Sequence, residues 1–368
     1  MTPRRTDAPV RHWLLALSVA IALFLVPIPA WVVDEFYSRD LYPWLQTGLT
    51  AASNLVPIAV IDLLIVGAAI LVFVRLVLLS VLAWREGLLS AMWEGLRRAL
   101  RAVALVAIVF MCTWGLNYRR QPLETTLARD GAAPSTVAAL QTAVSDANAL
   151  AAFVRPDVVS APATSYAQLS QRLVGPMNAA LTHLNREPLG RPGRPKFSVI
   201  LTPFFVSAGV DGMIDPIVLE SILNPDLLPF ERGYVLAHEW GHLAGHADEA
   251  EASAVGWFAC MNGPPDLAYS ASLYLILEAA AALPADARRQ AYASLSRGVR
   301  TDLDAIGRRL QKQQPQVQQA ASRVYDQYLK ANRVADGTAS YSRALRLILS
   351  APIHDALNEY RAKVRANY

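Results

Sequence analysis

Cysteine is almost missing from this 368-residue chain: Cys112 and Cys260 are the only two. That count excludes a disulfide framework and a cysteine-based zinc knuckle. Cys112 lies in an apolar run and Cys260 far beyond it, so the two are not expected to pair. Charge is scarce as well. Only 17% of the residues are Asp, Glu, Lys or Arg against 54% hydrophobic, and the mean hydropathy is +0.26. Soluble domains carry about a quarter charged residues, so this composition is that of a membrane protein. The net charge of +4 does not signal a nucleic-acid partner. Much of it flanks apolar runs, where anionic headgroups account for it, and no basic-aromatic nucleic-acid module occurs. Internal repeats and low-complexity linkers are lacking too.

The apolar residues concentrate in the first third. Residues 13–33 carry no charge and are long enough to cross a bilayer core. Arg4, Arg5 and Arg11 precede them, as in a signal peptide. The run is long for a signal, however, and Ile28-Pro29-Ala30 is a poor cleavage site, so an uncleaved anchor is expected. A second span lies within 55–84, where Asp62 and Arg75 are the only charges up to Trp84, and a third at 102–118. Between them, 85–101 reads as an amphipathic interfacial helix. Asp62 and Arg75 read as an interface charge and a snorkelling arginine rather than an ion path. Arg85, Arg97, Arg98 and Arg101 lie between the second and third spans, whereas the loop after the first has Arg39 against Asp34, Glu35 and Asp40. The positive-inside bias then predicts a cytoplasmic N-terminus and an extracytoplasmic chain after the third span. Arg119 and Arg120 weigh mildly against it. The expected organisation is a membrane domain over 1–120 and a second domain over 121–368.

That second domain reads as mostly helical. Residues 135–154 and 166–187 have amphipathic helical periodicity, and so do 267–283, 285–310 and 316–334. Residues 341–364 are expected to be helical with a break near Pro352. A turn at 191–195 precedes the strongest strand signal, 197–201, and 216–222 is a second extended piece. Such a strand can bind an extended chain by strand addition or serve only as sheet core, and the sequence leaves the two open.

One segment reads as chemistry: His238-Glu239-Trp240-Gly241-His242, an HExxH motif. Helix positions four apart lie about 40° apart around the axis, so both imidazoles project from one stripe and can share a metal ion. Glu239 lies about 100° from His238, near enough to hold a water on that ion. The pattern over 231–245 follows Pro229 and stops at Gly245, as an amphipathic helix does. Three of the chain's six histidines, His238, His242 and His246, fall within this neighbourhood. Catalytic zinc takes three protein ligands. The residues themselves leave the third open among His246, Asp248, Glu249 and Glu251, the acids being equally suited to a solvated helix N-terminus.

Several motifs resemble the bacterial membrane proteins of domain-of-unknown-function family 3810, which are metallopeptidase-like with three N-terminal spans. They are Trp114-Gly115-Leu116-Asn117-Tyr118 with Arg120 and Pro122, the stretch around Gly212, Pro216 and Glu220, and HEWGHLAG followed by Glu249-Ala250-Glu251-Ala252. Tyr269-Ser270, Tyr328-Leu329-Lys330 and Ser340-Tyr341 extend the likeness. The family's ExEAN is similar to the ExxA(D/N) segment of gluzincin peptidases. The resemblance thus implies Glu249 as the zinc ligand ahead of Glu251 and Asp248. It also implies that residue 253 orients a ligand histidine, although Ser253 stands where the pattern has Asn or Asp. Tyr341, on the resemblance alone, or His246 would stabilise the oxyanion.

The fold expected is mostly α: transmembrane helices followed by an α-rich, α+β zincin-like domain with a short edge sheet. The function expected is a zinc metallopeptidase of the bacterial inner membrane, with the bilayer and a peptide or protein substrate as partners. Glu239 would be its general base, and Zn2+ would be held by His238, His242 and an acid of the Glu249–Glu251 segment. A non-catalytic, metal-stabilised envelope scaffold or regulator is the alternative.

Overall fold

The computed structural model describes residues 8–127, 136–161, 164–334, 341–350, 360 and 362. Its first helix, α1 (Ala8–Leu25), ends where Pro27 and Pro29 remove backbone donors. The chain then turns by 110°. It continues as one rod made of α2 (Ala30–Val32), a π-helical stretch (Val33–Leu41) and α3 (Tyr42–Leu55). The span expected over 13–33 is bent: the helix breaks after Leu25, and the bent pair remains a candidate span. The stretch read as a loop between spans is helical. It buries Val33, Asp34, Tyr37, Ser38, Tyr42, Gln46, Thr50 and Ser53. Trp31, Phe36, Leu41, Trp44 and Leu55 are exposed on its other side. Val33, Tyr37 and Tyr42 belong to the C-terminal core, so this rod is part of the domain it was expected only to precede.

α4 (Val60–Glu86) and α5 (Leu88–Thr113) form a hairpin about Gly87, whose φ of +92° suits glycine. α5 packs against both α1 and α4. It absorbs the expected interfacial helix 85–101 and third span into one continuous helix. No proline interrupts it, and Glu94 pairs with Arg97 and Arg98 one turn on. A 3-10 turn (Gly115–Arg119) follows. Among the described residues two helices are apolar enough by length and composition to cross a membrane, α4 and α7 (Val137–Ser160), and α1 with the rod is a third, bent candidate. α7 instead packs its apolar face, including Leu140, Val144, Leu150 and Val154, in the domain core.

The rest of the domain is helical around one small sheet. α6 (Glu124–Leu127) and α8 (Tyr166–His183) flank α7 in sequence, and Ser165 and Gln168 form a capping box on α8. The expected strand 197–201 is a turn instead. Asp62, in the first turn of α4, takes the Ser198 hydroxyl and the Val199 N–H (2.8 Å), and only Lys196 bridges to the sheet. α9 (Thr202–Ala208) leads to an antiparallel pair, β1 (Gly212–Asp215) and β2 (Glu220–Leu223), with Gly212 opposite Leu223 and Asp215 opposite Glu220. Residues 216–219 of the expected extended piece form the turn between them. α10 (Arg232–Leu243), α11 (Glu249–Met261) and α12 (Pro265–Ala282) follow. All of α11 is buried, against α8, α10 and α12. The pattern over 285–310 splits at Leu295 into α13 (Ala285–Ser294) and α14 (Arg297–Leu310). α15 (Pro315–Ala331) and α16 (Tyr341–Ser350) complete the described elements. The proposed break near Pro352 lies outside the described residues.

Candidate metal centre

The Glu231 carboxylate fixes the start of α10, accepting the Leu228 N–H (2.9 Å) and an Arg309 N–H (2.6 Å). His238 and His242 stand one turn apart on it, with ring centroids 4.7 Å apart. The helix stops at Gly245, whose φ is +86°. The Gly245 N–H meets the His242 carbonyl (2.7 Å) and the His246 N–H meets that of Gly241 (3.2 Å), which satisfies the last turn. Asp248 then caps α11, accepting the N–H groups of Ala250 (3.0 Å) and Glu251 (3.2 Å). Glu249 is thereby held at the positive end of α11.

α10 and α11 cross almost backbone to backbone. A Cβ on Gly256 would lie 2.9 Å from the His238 nitrogen, and one on Gly241 would lie 3.0 Å from the Ala252 carbonyl. That closeness brings Glu249 Oε2 to 3.3 Å from His238 Nε2 and 3.6 Å from His242 Nε2. The three ligand atoms lie within 4.8 Å of one another. Two imidazole nitrogens and one carboxylate oxygen are the donor set of many catalytic zinc sites.

The outer contacts orient these donors. The His246 carbonyl lies 2.7 Å from His242 Nδ1. A carbonyl only accepts, so Nδ1 carries a proton and the neutral ring offers its lone pair at Nε2. Ser253 Oγ is 3.2 Å from His238 Nδ1. Tyr325 donates its hydroxyl proton to Glu249 Oε1. The Trp114 ring stands edge-on to His242 at 6.1 Å, and the hydroxyl of Tyr118 meets that of Tyr328 at 3.3 Å.

Titration reflects this crowding. Burial disfavours the imidazolium of His242, yet the adjacent Glu249 carboxylate outweighs it and holds the pKa up to about 9. Burial also works against the Glu249 carboxylate, but the charge of His242 and hydrogen bonds from both histidines keep it well below the usual range. For His238 burial prevails and the pKa is lowered. Glu239 is raised to about 8, chiefly by burial. Its Oε2 is buried and has no hydrogen-bond partner among the described residues. β1 passes directly over it: a Cβ on Gly212 would lie 2.6 Å from Glu239 Oε1.

The other expected site residues fall elsewhere. Glu251 does not join the cluster, which corrects its inclusion among the ligands. It accepts the Leu123 N–H (2.7 Å) and lies 2.9 Å from His246 Nδ1. Asp248 is occupied as a cap and pairs with Arg343. His246 is fully buried and bound to Glu251, so its ring is not a donor to the cluster. Tyr341 begins α16, but its side chain lies outside the described residues. The aromatic residues beside the cluster were not assigned roles from sequence. Trp114, Tyr118 and Tyr328 sit in motifs already noted, whereas nothing in the pattern marks Tyr325.

The family model described as "Protein of unknown function (DUF3810)" matches residues 37–349. No curated protein and no solved structure matches the chain.

Proposed function

The chain belongs to the DUF3810 family of proteins of unknown function, and from the chemistry of its buried His–Glu cluster we propose that it is a membrane-anchored zinc metallopeptidase. One observation carries this reading. Beside three converging ligand atoms lies a buried carboxylate, Glu239, whose free oxygen serves no structural hydrogen bond. A purely structural metal site has no use for that group.

His238 Nε2, His242 Nε2 and Glu249 Oε2 would hold the ion. Bound there, zinc would acidify a water and polarise a carbonyl. Glu239 would accept the proton of a water attacking the peptide carbon and would pass it to the departing amine. Its raised pKa suits both tasks, since a group titrating near neutrality accepts and releases protons readily.

β1 would hold the substrate. The Asn224 N–H pairs with the Asp211 carbonyl (2.9 Å), which sets the ladder phase so that Gly212 and Ile214 turn their peptide groups away from β2. An extended peptide can add along that edge, with Gly212 bringing it beside Glu239. Tyr325, through Glu249, and Ser253, through His238, act as positioning residues.

For topology, α1 and α4 would cross the inner membrane, and α5 would return across it through its charge-free half 102–113. Arg97, Arg98 and Arg101 keep α5 out of the helices apolar enough by composition. Those arginines would lie at the cytoplasmic end and the zincin-like domain outside. The test is metal analysis of the purified full chain together with digestion of a peptide library. Wild-type protein should hold about one zinc per chain and cleave. Glu239→Gln should keep the zinc and lose cleavage, while His238→Ala should lose both. Zinc retained by a wild type that cleaves nothing would favour the scaffold reading instead.

A further inference from the structure

Three helix ends meet the domain at one level. At the end of α1, Arg119 and Arg333 donate to the carbonyls of Leu23, Phe24 and Val26. At the start of α4, the Glu220 carboxylate accepts the N–H groups of Val60 (3.0 Å) and Ile61 (2.8 Å). At the end of α5, the Thr113 hydroxyl lies 2.8 Å from the Pro216 carbonyl and 2.8 Å from that of Val109. No linker separates helices from domain. The contacts are made by the β1–β2 hairpin, by Arg119 of the 3-10 turn after α5 and by Arg333 just past α15.

The cluster lies against this level. Trp114, the residue following α5, touches His242 edge-on. Phe110, one turn inside α5, stands 6.2 Å from the ring of Tyr328. Tyr328 in turn stacks at 5.9 Å on Tyr325, which binds Glu249. The outer edge of β1 starts at half-buried Gly212 beside Glu239 and runs to buried Asp215, next to the turn held by Thr113 and Thr50. A peptide laid along β1 is therefore led from Glu239 to the end of α5. Apolar side chains crowd the same level. Val199 is 83% exposed, and its backbone N–H is held by Asp62 of α4. Trp31 and Leu55 are exposed at the ends of the rod.

We infer that this site is built for polypeptide emerging from the bilayer. Its substrate class is the extended stem that joins a membrane-inserted segment to the chain outside, cut close to the membrane surface. The inference rests on the peptidase reading above. Four residues of β1, at about 3.3 Å each, span about 13 Å, so cleavage should fall within roughly the first eight residues of the stem.

The full chain is tested in zinc-loaded liposomes with one randomised segment presented in two ways. In one it is fused directly to a membrane-spanning anchor helix; in the other it is held from the same anchor by a Gly/Ser spacer of about forty residues. Both are confined to the bilayer, so encounter is matched and reach alone differs. The directly anchored segment should be cut at least about tenfold faster, near its membrane end. Equal cutting of the spaced segment overturns the inference while leaving the peptidase reading intact. Cleavage of neither probe, nor of the same segment free in solution, overturns both.

A second readout needs no turnover. A fluorophore on Met213→Cys, in a Cys112→Ser background, should be quenched by lipids carrying a nitroxide on the headgroup, relative to plain liposomes. Fluorescence unchanged by the nitroxide lipids places β1 away from the surface and overturns the inference.

Discussion

His238 and Glu249 come from different helices, yet their Nε2 and Oε2 atoms lie 3.3 Å apart because Gly256 lets α11 run against the backbone at His238. The candidate metal centre is in this sense a product of helix packing before it is a product of ligand chemistry. HExxH supplies two donors at a spacing any helix gives. The third arrives only if the two helix axes approach more closely than side chains normally permit.

Gly256→Ala tests that dependence. The added Cβ would meet backbone atoms at 2.9 Å and 3.1 Å, and backbone cannot rotate away as a side chain can. The helices must part by a few tenths of an ångström, at a cost of about 1–3 kcal/mol. Zinc affinity should fall at least about tenfold, because the displacement moves Glu249 relative to both histidines. Isothermal titration and thermal melting of the same preparation check this. Wild-type zinc affinity in a destabilised Gly256→Ala protein would show that the crossing does not set the ligand geometry.

Glu249 and Glu251 should separate cleanly. Glu249→Gln replaces the carboxylate ligand by an amide and is expected to abolish zinc retention, with some loss of stability because the buried His242 imidazolium loses its charge partner. Glu251→Gln should retain zinc but destabilise the protein by about 1.5–3 kcal/mol, the usual result of losing a buried hydrogen bond to a charged group. Metal content and melting temperature, measured on both variants, decide it. The reverse pattern would exchange the two roles.

Much of this was legible in the sequence, and what was not has physical causes. The helical period makes His238 and His242 a pair in any reading. Glu249 and Glu251 differ by two positions, about 200° around the helix, and their directions depend on a crossing that no local pattern records. The rod over 30–55 was hidden because one side packs on the domain and the other is apolar as well. Its buried Asp34 is matched by Arg186 at 3.3 Å, a partner 152 positions away. The apolar run 197–201 has strand composition, but its donors are taken by Asp62, which only the assembled helix brings near. Pro27 and Pro29, by contrast, were visible, and they are what breaks the first span.

Zinc uptake should depend on pH through His242. Its imidazole is held protonated up to about 9, with Glu249 overcoming the effect of burial. An imidazolium has no lone pair to give, so zinc must displace that proton. Apparent affinity should rise roughly tenfold per pH unit from neutrality toward about 9 and level off above. Chelator competition across that range measures the slope. A flat profile would mean that zinc does not enter at His242 Nε2.

Acid stability gives an independent handle on the second buried pair, His246 and Glu251. Burial pushes the His246 imidazole down to about 4 from its ordinary 6.5, with Arg120 and Arg186 contributing and Glu251 opposing. Between those values the unfolded chain binds a proton that the folded chain refuses, so stability falls as pH drops through this window. Glu251 acts in the same direction at lower pH. Burial works against its carboxylate, but His246, the Leu123 N–H and Arg120 hold it ionised down to about 2. Its share of stability is complete above about 4.5 and fades below that. In thermal unfolding in detergent, the share of the melting temperature due to His246 should therefore decline from about pH 6.5 downward, against the opposite trend from Glu239, whose raised pKa favours the folded state as pH falls. His246→Gln cannot titrate and should flatten the upper part of that decline while leaving the part below about 4.5. If the variant and the wild type lose stability in parallel between pH 6.5 and about 4.5, the burial of a neutral His246 is not what the folded state protects.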